Sequence, residues 1–287
     1  MVQSVGNRLT TTIIRQAEKS GYFCAAGKMP VNPVIHELRK SFKRLRALLR
    51  FYIELPEHPA GLIIKEIRQY GRLLAPLRES AVNIELFNKE IAKNKLFSDR
   101  KIKAARELLV QRNKFLIENS FVRNNMCSNI HKYLEGLIQG FGVQPAALTK
   151  VHFFREVSRS YLKSIACYQQ LGPDPHPEQL HSLRKRLKRL FYQIDFLRFL
   201  HPKFFKLKTN QLNKINDQLG NDHDLYIFFT EINSGICGFN ADELFILDNQ
   251  VDHLRELNQL KLYPKLKQFF IMAPSEFDQK MEEFFKL

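Results

Sequence analysis

Apolar residues recur along this chain at spacings of three and four, and strict alternation is rare, which is the period of amphipathic helices and not of strands. Gly and Pro fall mostly between the periodic stretches. The pattern predicts helices over 5–20, 33–54, 60–75, 78–95, 98–118 and 122–139. After a break at Gly140, Gly142 and Pro145 it predicts helices over 146–170, 177–200, 203–219, 222–234, 241–261 and 275–286. The expected fold class is all-α.

The helices repeat. Residues 36–45 read HELRKSFKRL and residues 181–190 read HSLRKRLKRL, identical at seven of ten positions at an offset of 145. At the same offset Phe51 and Leu55 recur as Phe196 and Leu200, Leu74 as Leu219, and Glu79 answers Asp224. Before the motif the offset is 144, and Arg8, Arg15 and Lys19 align with His152, Arg159 and Lys163. The chain reads as one domain made of two repeated halves, 1–145 and 146–287. Such halves are expected to pack as two helical bundles of four-helix type, related by a pseudo-twofold axis.

Charge narrows the function. Lys and Arg total 45 against 29 acids, a net charge of +16. A surplus of that size repels itself in a folded chain and points to an anionic partner: nucleic acid, anionic lipid or polyphosphate. On the helix over 33–54, Leu38, Phe42, Leu45, Leu49 and Tyr52 share one face, within roughly 80° of arc. His36, Arg39, Lys40, Lys43 and Arg50 share the opposite one, flanked by Arg44 and Arg46, as a cationic strip about 20 Å long. On the helix over 177–200, Leu183, Leu187, Leu190, Ile194 and Leu197 oppose His181, Arg184, Lys185 and Lys188, with Arg189 beside them. Asn32 and Pro33 are expected to start the first helix, Pro177 and Glu178 the second.

A basic face opposite an apolar one is ordinarily solvated surface. Two features argue for more. Like charges stand four residues apart, as at Arg39/Lys43 and Lys40/Arg44, and each such pair costs a helix a few tenths of a kcal/mol. The same polar residues then recur in the second half with no exchange for an acid. Two flanking stripes are candidates for additional contacts: Arg8, Arg15 and Lys19 in one half, and His152, Arg155, Arg159 and Lys163 in the other.

The segments VIHELRKSFKRLR (34–46) and LHSLRKRLKRLFYQIDF (180–196), with LRESAV (77–82) and LGNDHDLYIF (219–228) after them, resemble the CHAD domain, the conserved histidine α-helical domain, over almost the whole chain. The resemblance implies paired helical bundles whose His and basic residues line a positively charged central groove or pore. It also implies binding of inorganic polyphosphate, often at polyphosphate granules. Carried over by position, the binding residues are His36, Arg39, Lys43, Arg44 and Arg46, then His181, Arg184, Lys188 and Arg189. Two positions depart from the family pattern: Phe191 stands where Arg is usual, and Glu79 replaces an Asp. The E-x-E-x-K strand of a triphosphate-hydrolase partner domain does not occur, so a stand-alone binding module is expected, not an enzyme.

Other sites are weaker. GYFCAAGKM (21–29) misses the spacing of a phosphate loop and reads as a connection. Asp222-His223-Asp224 reads as a helix start, where acids meet the positive end of the dipole, more than as a metal site. No metal or other cofactor is expected. Glu79 and Asp224 are expected to orient a strip arginine. His36 and His181 are expected to gain charge when a polyanion binds, between about pH 8 and 6. The four cysteines, Cys24, Cys127, Cys167 and Cys237, form no CxxC and fit a reduced protein. With no signal-peptide pattern and no long apolar run, a cytoplasmic location and no membrane partner are expected. Nucleic acid stays as the alternative partner, although Tyr and Phe lie on the apolar faces, where they cannot stack on bases. Oligomeric state and preferred polyanion length are not written in the sequence.

Overall fold

Helices fill the periodic stretches, and no strand occurs among the residues that the structure, a computed structural model, describes: 5–25, 29–92, 94–143 and 148–286. In chain order come α1 (Val5–Ala25), α2 (Val31–Leu49), α3 (Ala60–Leu73), α4 (Ala75–Leu86), α5 (Asp99–Leu116) and α6 (Met126–Val143). Then follow α7 (Lys150–Gln169), α8 (Pro177–Phe196), α9 (Pro202–Glu231), α10 (Ala241–Phe269) and α11 (Pro274–Phe285). Wide π-type turns extend α4 at Phe87–Ile91 and α9 at Ile232–Ile236. These two turns stand 145 residues apart, so the repeat reaches into backbone detail.

Several expected boundaries move. The predicted break near 220 is absent, and α9 runs straight through Gly220. A single glycine costs a helix interior only about 1 kcal/mol, which packing readily offsets. Asp222, His223 and Asp224 therefore lie mid-helix and not at a helix start. The equivalent stretch of the first half is interrupted at Leu74, with Pro76 in the first turn of α4. α10 continues past 261, through Pro264, to Phe269. α6 runs through Gly140 and Gly142, while Pro145 and the expected division at 145/146 lie outside the described residues. Residues 21–25 of the expected connection continue α1, and 26–28 lie outside the described residues.

The helix starts differ in chemistry. α2 begins two residues early, at Val31 after Pro30, and Asn32 does not cap it. Its side chain instead donates to Asn113 Oδ1 at 3.3 Å. α8 begins at Pro177 as expected, but His176 is the cap. Its Nδ1 accepts from the backbone N–H of Glu178, and Gln179 Oε1 accepts from the N–H of His176 at 2.8 Å.

The apolar faces expected on α2 and on α8 with its following turn are buried throughout. α2 packs on α1, α3, α4 and α8, and α8 packs on α7, α9 and α2. Phe51 and its repeat equivalent Phe196 meet with ring centroids 6.0 Å apart, as equivalent residues beside a twofold axis should. Phe153 closes on Phe51 at 4.8 Å. One apolar core draws on both halves. A smaller one gathers Phe87, Ile91, Leu225, Phe228, Leu247 and neighbours at the far end of α4 and α9. α4 passes from the larger core at Leu77 to the smaller at Phe87, and α9 from Leu219 to Leu225. Between the cores lies a polar belt holding Glu79, Ser80 and Asn83 of α4 with Gly220, Asp222, His223 and Asp224 of α9. Among the described residues no helix is long and apolar enough to cross a membrane.

Candidate functional site

The basic faces of α2 and α8 are not open to bulk water along their length. Arg39, Lys43, Arg184 and Lys188 are half-buried, because α2 and α8 pack on each other and α4 packs on α9 beside them. Lys43 lies in the fields of Arg184, Arg39 and Lys188, and Arg39 in those of Glu79, Arg184 and Arg78. Glu79 in turn feels Asp224. Arg39 and Arg184, Lys43 and Lys188, and Glu79 and Asp224 are each repeat equivalents. The cluster therefore straddles the pseudo-twofold axis, and each half contributes the same chemistry to it.

The two arginines are held differently. Arg39 Nη1 donates to the carbonyl of Gly71 at 2.9 Å. The Arg184 guanidinium lies on Gly220, with Nη2 3.2 Å from the point where a Cβ would stand, and its Nε makes no hydrogen bond among the described residues. Burial raises the carboxyl pKa of Glu79, with Arg39 its strongest opposing charge, and raises that of Asp224, with Arg184 in the same role. Each acid is thus matched electrostatically to the arginine of its own half.

Crowded cations lose protons more easily. Burial first, then Arg184, Arg39 and Lys188, bring Lys43 down to about 7. Lys188 is lowered as well, by burial and then by Arg184, and its Nζ stands 5.2 Å from the ring centroid of Phe191. Phe191 is thus a platform for Lys188, in the place where the resemblance leads one to expect an arginine.

The histidines differ between halves. His181 stacks on His223 with ring centroids 4.0 Å apart and planes at 23°. Burial, then Lys185 and Arg184, pushes His181 down to about 4, and its Nδ1 is buried without a partner. Burial, then His181 and Arg184, pushes His223 to about 3. His36 is exposed, lies 4.0 Å from Glu37, and is lowered by burial and then by Arg78. Arg78 occupies the repeat position of His223, so a guanidinium replaces an imidazole there. Neither Arg78 nor His223 was singled out from sequence as a binding group, although the repeat register places both.

A second cationic group forms further along α2. Arg46 lies among Arg68, Arg72 and Arg50, and Lys185 near Arg46 and Arg72. Arg189 is lowered to about 10 by burial and then by Arg50, with Arg186 and Arg46 adding to it. Arg68, Arg72 and Arg186 were also missed. The i, i+4 spacing of Arg68 and Arg72 on α3 was the available signal.

Other expected contacts are taken by acids. Arg50 Nε donates to Glu156 Oε1 at 2.8 Å, and Gln193 Nε2 to the same oxygen at 2.9 Å. Arg44 reaches Asp195 at 3.5 Å and Lys40 reaches Glu37 at 3.7 Å. Of the flanking stripes, Arg159 pairs with Glu54 and Glu156, and Arg155 lies 3.9 Å from Glu54. His152 Nδ1 accepts from the backbone N–H of Thr149 at 3.2 Å, which makes it part of the α7 cap. Lys163, Arg15 and Lys19 are exposed, and Arg8 is spread over the Phe199 ring at 4.2 Å. Asp222 accepts from Gln259 at 3.0 Å and pairs with Arg255 at 3.4 Å, joining α9 to α10.

The family model of the CHAD domain matches residues 31–229, from the first residue of α2 almost to the end of α9. A search of curated proteins finds no match. Among solved structures, the crystal structure of the CHAD domain from the plant Ricinus communis is similar, with a TM-score of 0.57 and 14% identity. The likeness covers 99% of this chain and 92% of that one, and it is a likeness of fold.

Proposed function

This chain belongs to the CHAD domain family, and on that premise we propose that it binds inorganic polyphosphate, as a binding module and not as an enzyme. The observation that carries this reading is the meeting of equivalent cations, Arg39 with Arg184 and Lys43 with Lys188, across the pseudo-twofold axis. Crowding these four basic groups in a half-buried site is unfavourable until an anion enters, and Lys43 shows the strain by losing its proton near pH 7. The nearby ion pairs go elsewhere, to Arg44, Arg50 and Lys40, and among the described residues no carboxylate is in contact with these four. Arginine forks two donors onto phosphate oxygens, and lysine adds a compact charge.

Symmetry supports the choice of ligand. A polyphosphate chain reads the same from either end, so a site with the same donors on both sides of an axis suits it. A nucleic-acid strand has a direction. Phe42, Tyr52 and Tyr192 are buried, and the half-buried Phe191 ring is occupied by Lys188, which leaves few rings for bases to stack on. The proposed setting is the cytoplasm, at polyphosphate granules.

The test compares polyphosphate, single-stranded DNA and ATP at equal charge concentration. Polyphosphate should bind most tightly, with a steep loss of affinity on adding salt as counterions are released. Arg39→Ala combined with Arg184→Ala should weaken that binding while the helical circular dichroism stays intact. Each lost charged hydrogen bond costs about 1.5–3 kcal/mol. DNA binding as tight as polyphosphate would transfer the proposal to nucleic acid. Unchanged affinity in the folded double mutant would return both faces to ordinary surface.

A further inference from the structure

Away from the cationic cluster, α1 and α6 pack side by side. Gly21 and Cys24 stand one turn apart on α1, and Cys127 and His131 one turn apart on α6. The His131 ring lies against Gly21, with its Nδ1 3.1 Å from where a Cβ would stand. One turn further along, Cys24 faces Cys127, and each thiol shifts the pKa of the other. These two contacts share one antiparallel register, and a side chain at Gly21 would displace the His131 ring by a few tenths of an ångström. Cys24, Cys127 and His131 also line a common cavity of about 440 Å³, and both thiols keep partial exposure.

We propose that Cys24 and Cys127 are a dithiol modification site that closes to a reversible disulfide, joining α1 to α6, by exchange with small-molecule disulfides of the glutathione type. Cys24 and Cys127 stand on facing turns of the two helices and line the same cavity, in the register that the Gly21–His131 contact fixes, so side-chain rotation can bring their sulfurs to a bond of about 2 Å.

The pair is chemically asymmetric. The neighbouring Cys127 and then burial raise the pKa of Cys24, whereas the neighbouring Cys24 lowers that of Cys127. Cys127 is therefore the attacking thiolate. Its Sγ attacks one sulfur of the small disulfide, forms a mixed disulfide and expels a thiolate. That thiolate takes the Cys24 proton. The Cys24 thiolate then attacks Sγ of Cys127, forms the internal S–S bond and expels the second small thiolate, which takes a proton from water. Two protein thiols are oxidised and one small disulfide is reduced to two thiols.

The consequence is mechanical. In the reduced protein α1 is held to α6 by packing. The disulfide would close a loop of about 100 residues and raise the melting temperature by roughly 10 °C. The full chain is equilibrated at fixed ratios of oxidised to reduced glutathione, quenched by alkylation in denaturant so that the buried Cys237 is also labelled, and mapped by peptide mass. The expected result is joint loss of the Cys24 and Cys127 thiols as one cross-linked peptide, reversed by reductant, with Cys167 and Cys237 still alkylated. In Cys24→Ser, Cys127 should stop at the mixed disulfide. In Cys127→Ser, Cys24 should react far more slowly. Wild-type protein that accumulates glutathione on Cys127 without the internal bond would overturn the proposal, as would bonds formed equally often with Cys167.

Discussion

The guanidinium of Arg184 rests on the backbone of Gly220, with Nη2 3.2 Å from the place a Cβ would take. The glycine that looks like a helix break in the sequence is the floor on which one arginine of the cationic cluster lies. Gly220→Ala separates its two roles. Alanine improves helix propensity by about 1 kcal/mol, so the melting temperature should hold or rise. The methyl displaces the guanidinium by a few tenths of an ångström, so polyphosphate affinity should fall severalfold. Titration calorimetry and thermal melts on the same sample read both, and a mutant with unaltered affinity would detach Arg184 from the ligand.

Lys43 should dominate the pH dependence above neutrality. Its ammonium is held at about 7 against an ordinary 10.5. A bound polyanion favours the charged form, so binding takes up a proton once the free lysine has lost one. Affinity should be level below about pH 7 and decline as pH rises towards about 9. Stability of the free protein should run the other way. In that window the unfolded chain holds the Lys43 proton and the folded one does not, so stability increases with pH. Lys43→Arg, which stays charged, should flatten both profiles. Proton uptake is counted by calorimetry in buffers of different ionisation heat, and equal uptake in wild type and Lys43→Arg would remove Lys43 from the site.

The imidazoles belong to a lower window than their composition suggests. His181 at about 4 and His223 at about 3 are neutral throughout the range from pH 8 to 6 in the free protein. Burial of the stacked pair, not the neighbouring charges alone, sets this. A polyanion should raise both, so affinity should climb as pH falls below about 6 towards 4. Replacing both His181 and His223 by Gln should abolish the climb, and His36→Gln should spare most of it. Coincident profiles for wild type and the double mutant would exclude the pair as titrating ligands.

Arg50 should matter for the fold more than for the ligand. Glu156 is 3% exposed and accepts from Arg50 and Gln193, which ties the end of α2 to α7 and α8. Arg159 still reaches Glu156 at 3.4 Å, so the loss of Arg50 should cost less than about 3–5 kcal/mol, the cost of stranding a buried charge. Arg50→Met should lower the denaturation midpoint and leave polyphosphate affinity within about twofold, apart from the general loss of one charge. Chemical denaturation with parallel binding curves checks this, and a large affinity loss in a fully stable mutant would return Arg50 to the site.

What the sequence made legible was whatever is local or repeated. The apolar rows Leu38–Tyr52 and Leu183–Leu197 are buried as their spacing requires. The offset of 145 recurs in the π-type turns and in the meeting of Phe51 with Phe196. Contacts between distant residues were not legible. Glu156 lies 106 positions from Arg50, and Asp195 lies 151 from Arg44, so nothing near either arginine marks it as already paired. The stacked His223 was hidden for another reason: its repeat equivalent is Arg78, and a match of position without a match of residue type is silent in a motif.

Arg44 and Arg189 are equivalent in the repeat, and so are Arg50 and Asp195. Arg44 faces Asp195, whereas Arg189 faces Arg50 and depends on Glu156 to offset the repulsion. Two copies of the first half alone would set Arg44 against Arg50 at both contacts, and two copies of the second would set Arg189 against Asp195 at both. Identical subunits about a true twofold must make the same contact twice. The mixed pair is open only to two non-identical halves, which this single polypeptide supplies together, and a homodimer of first halves would be electrostatically frustrated.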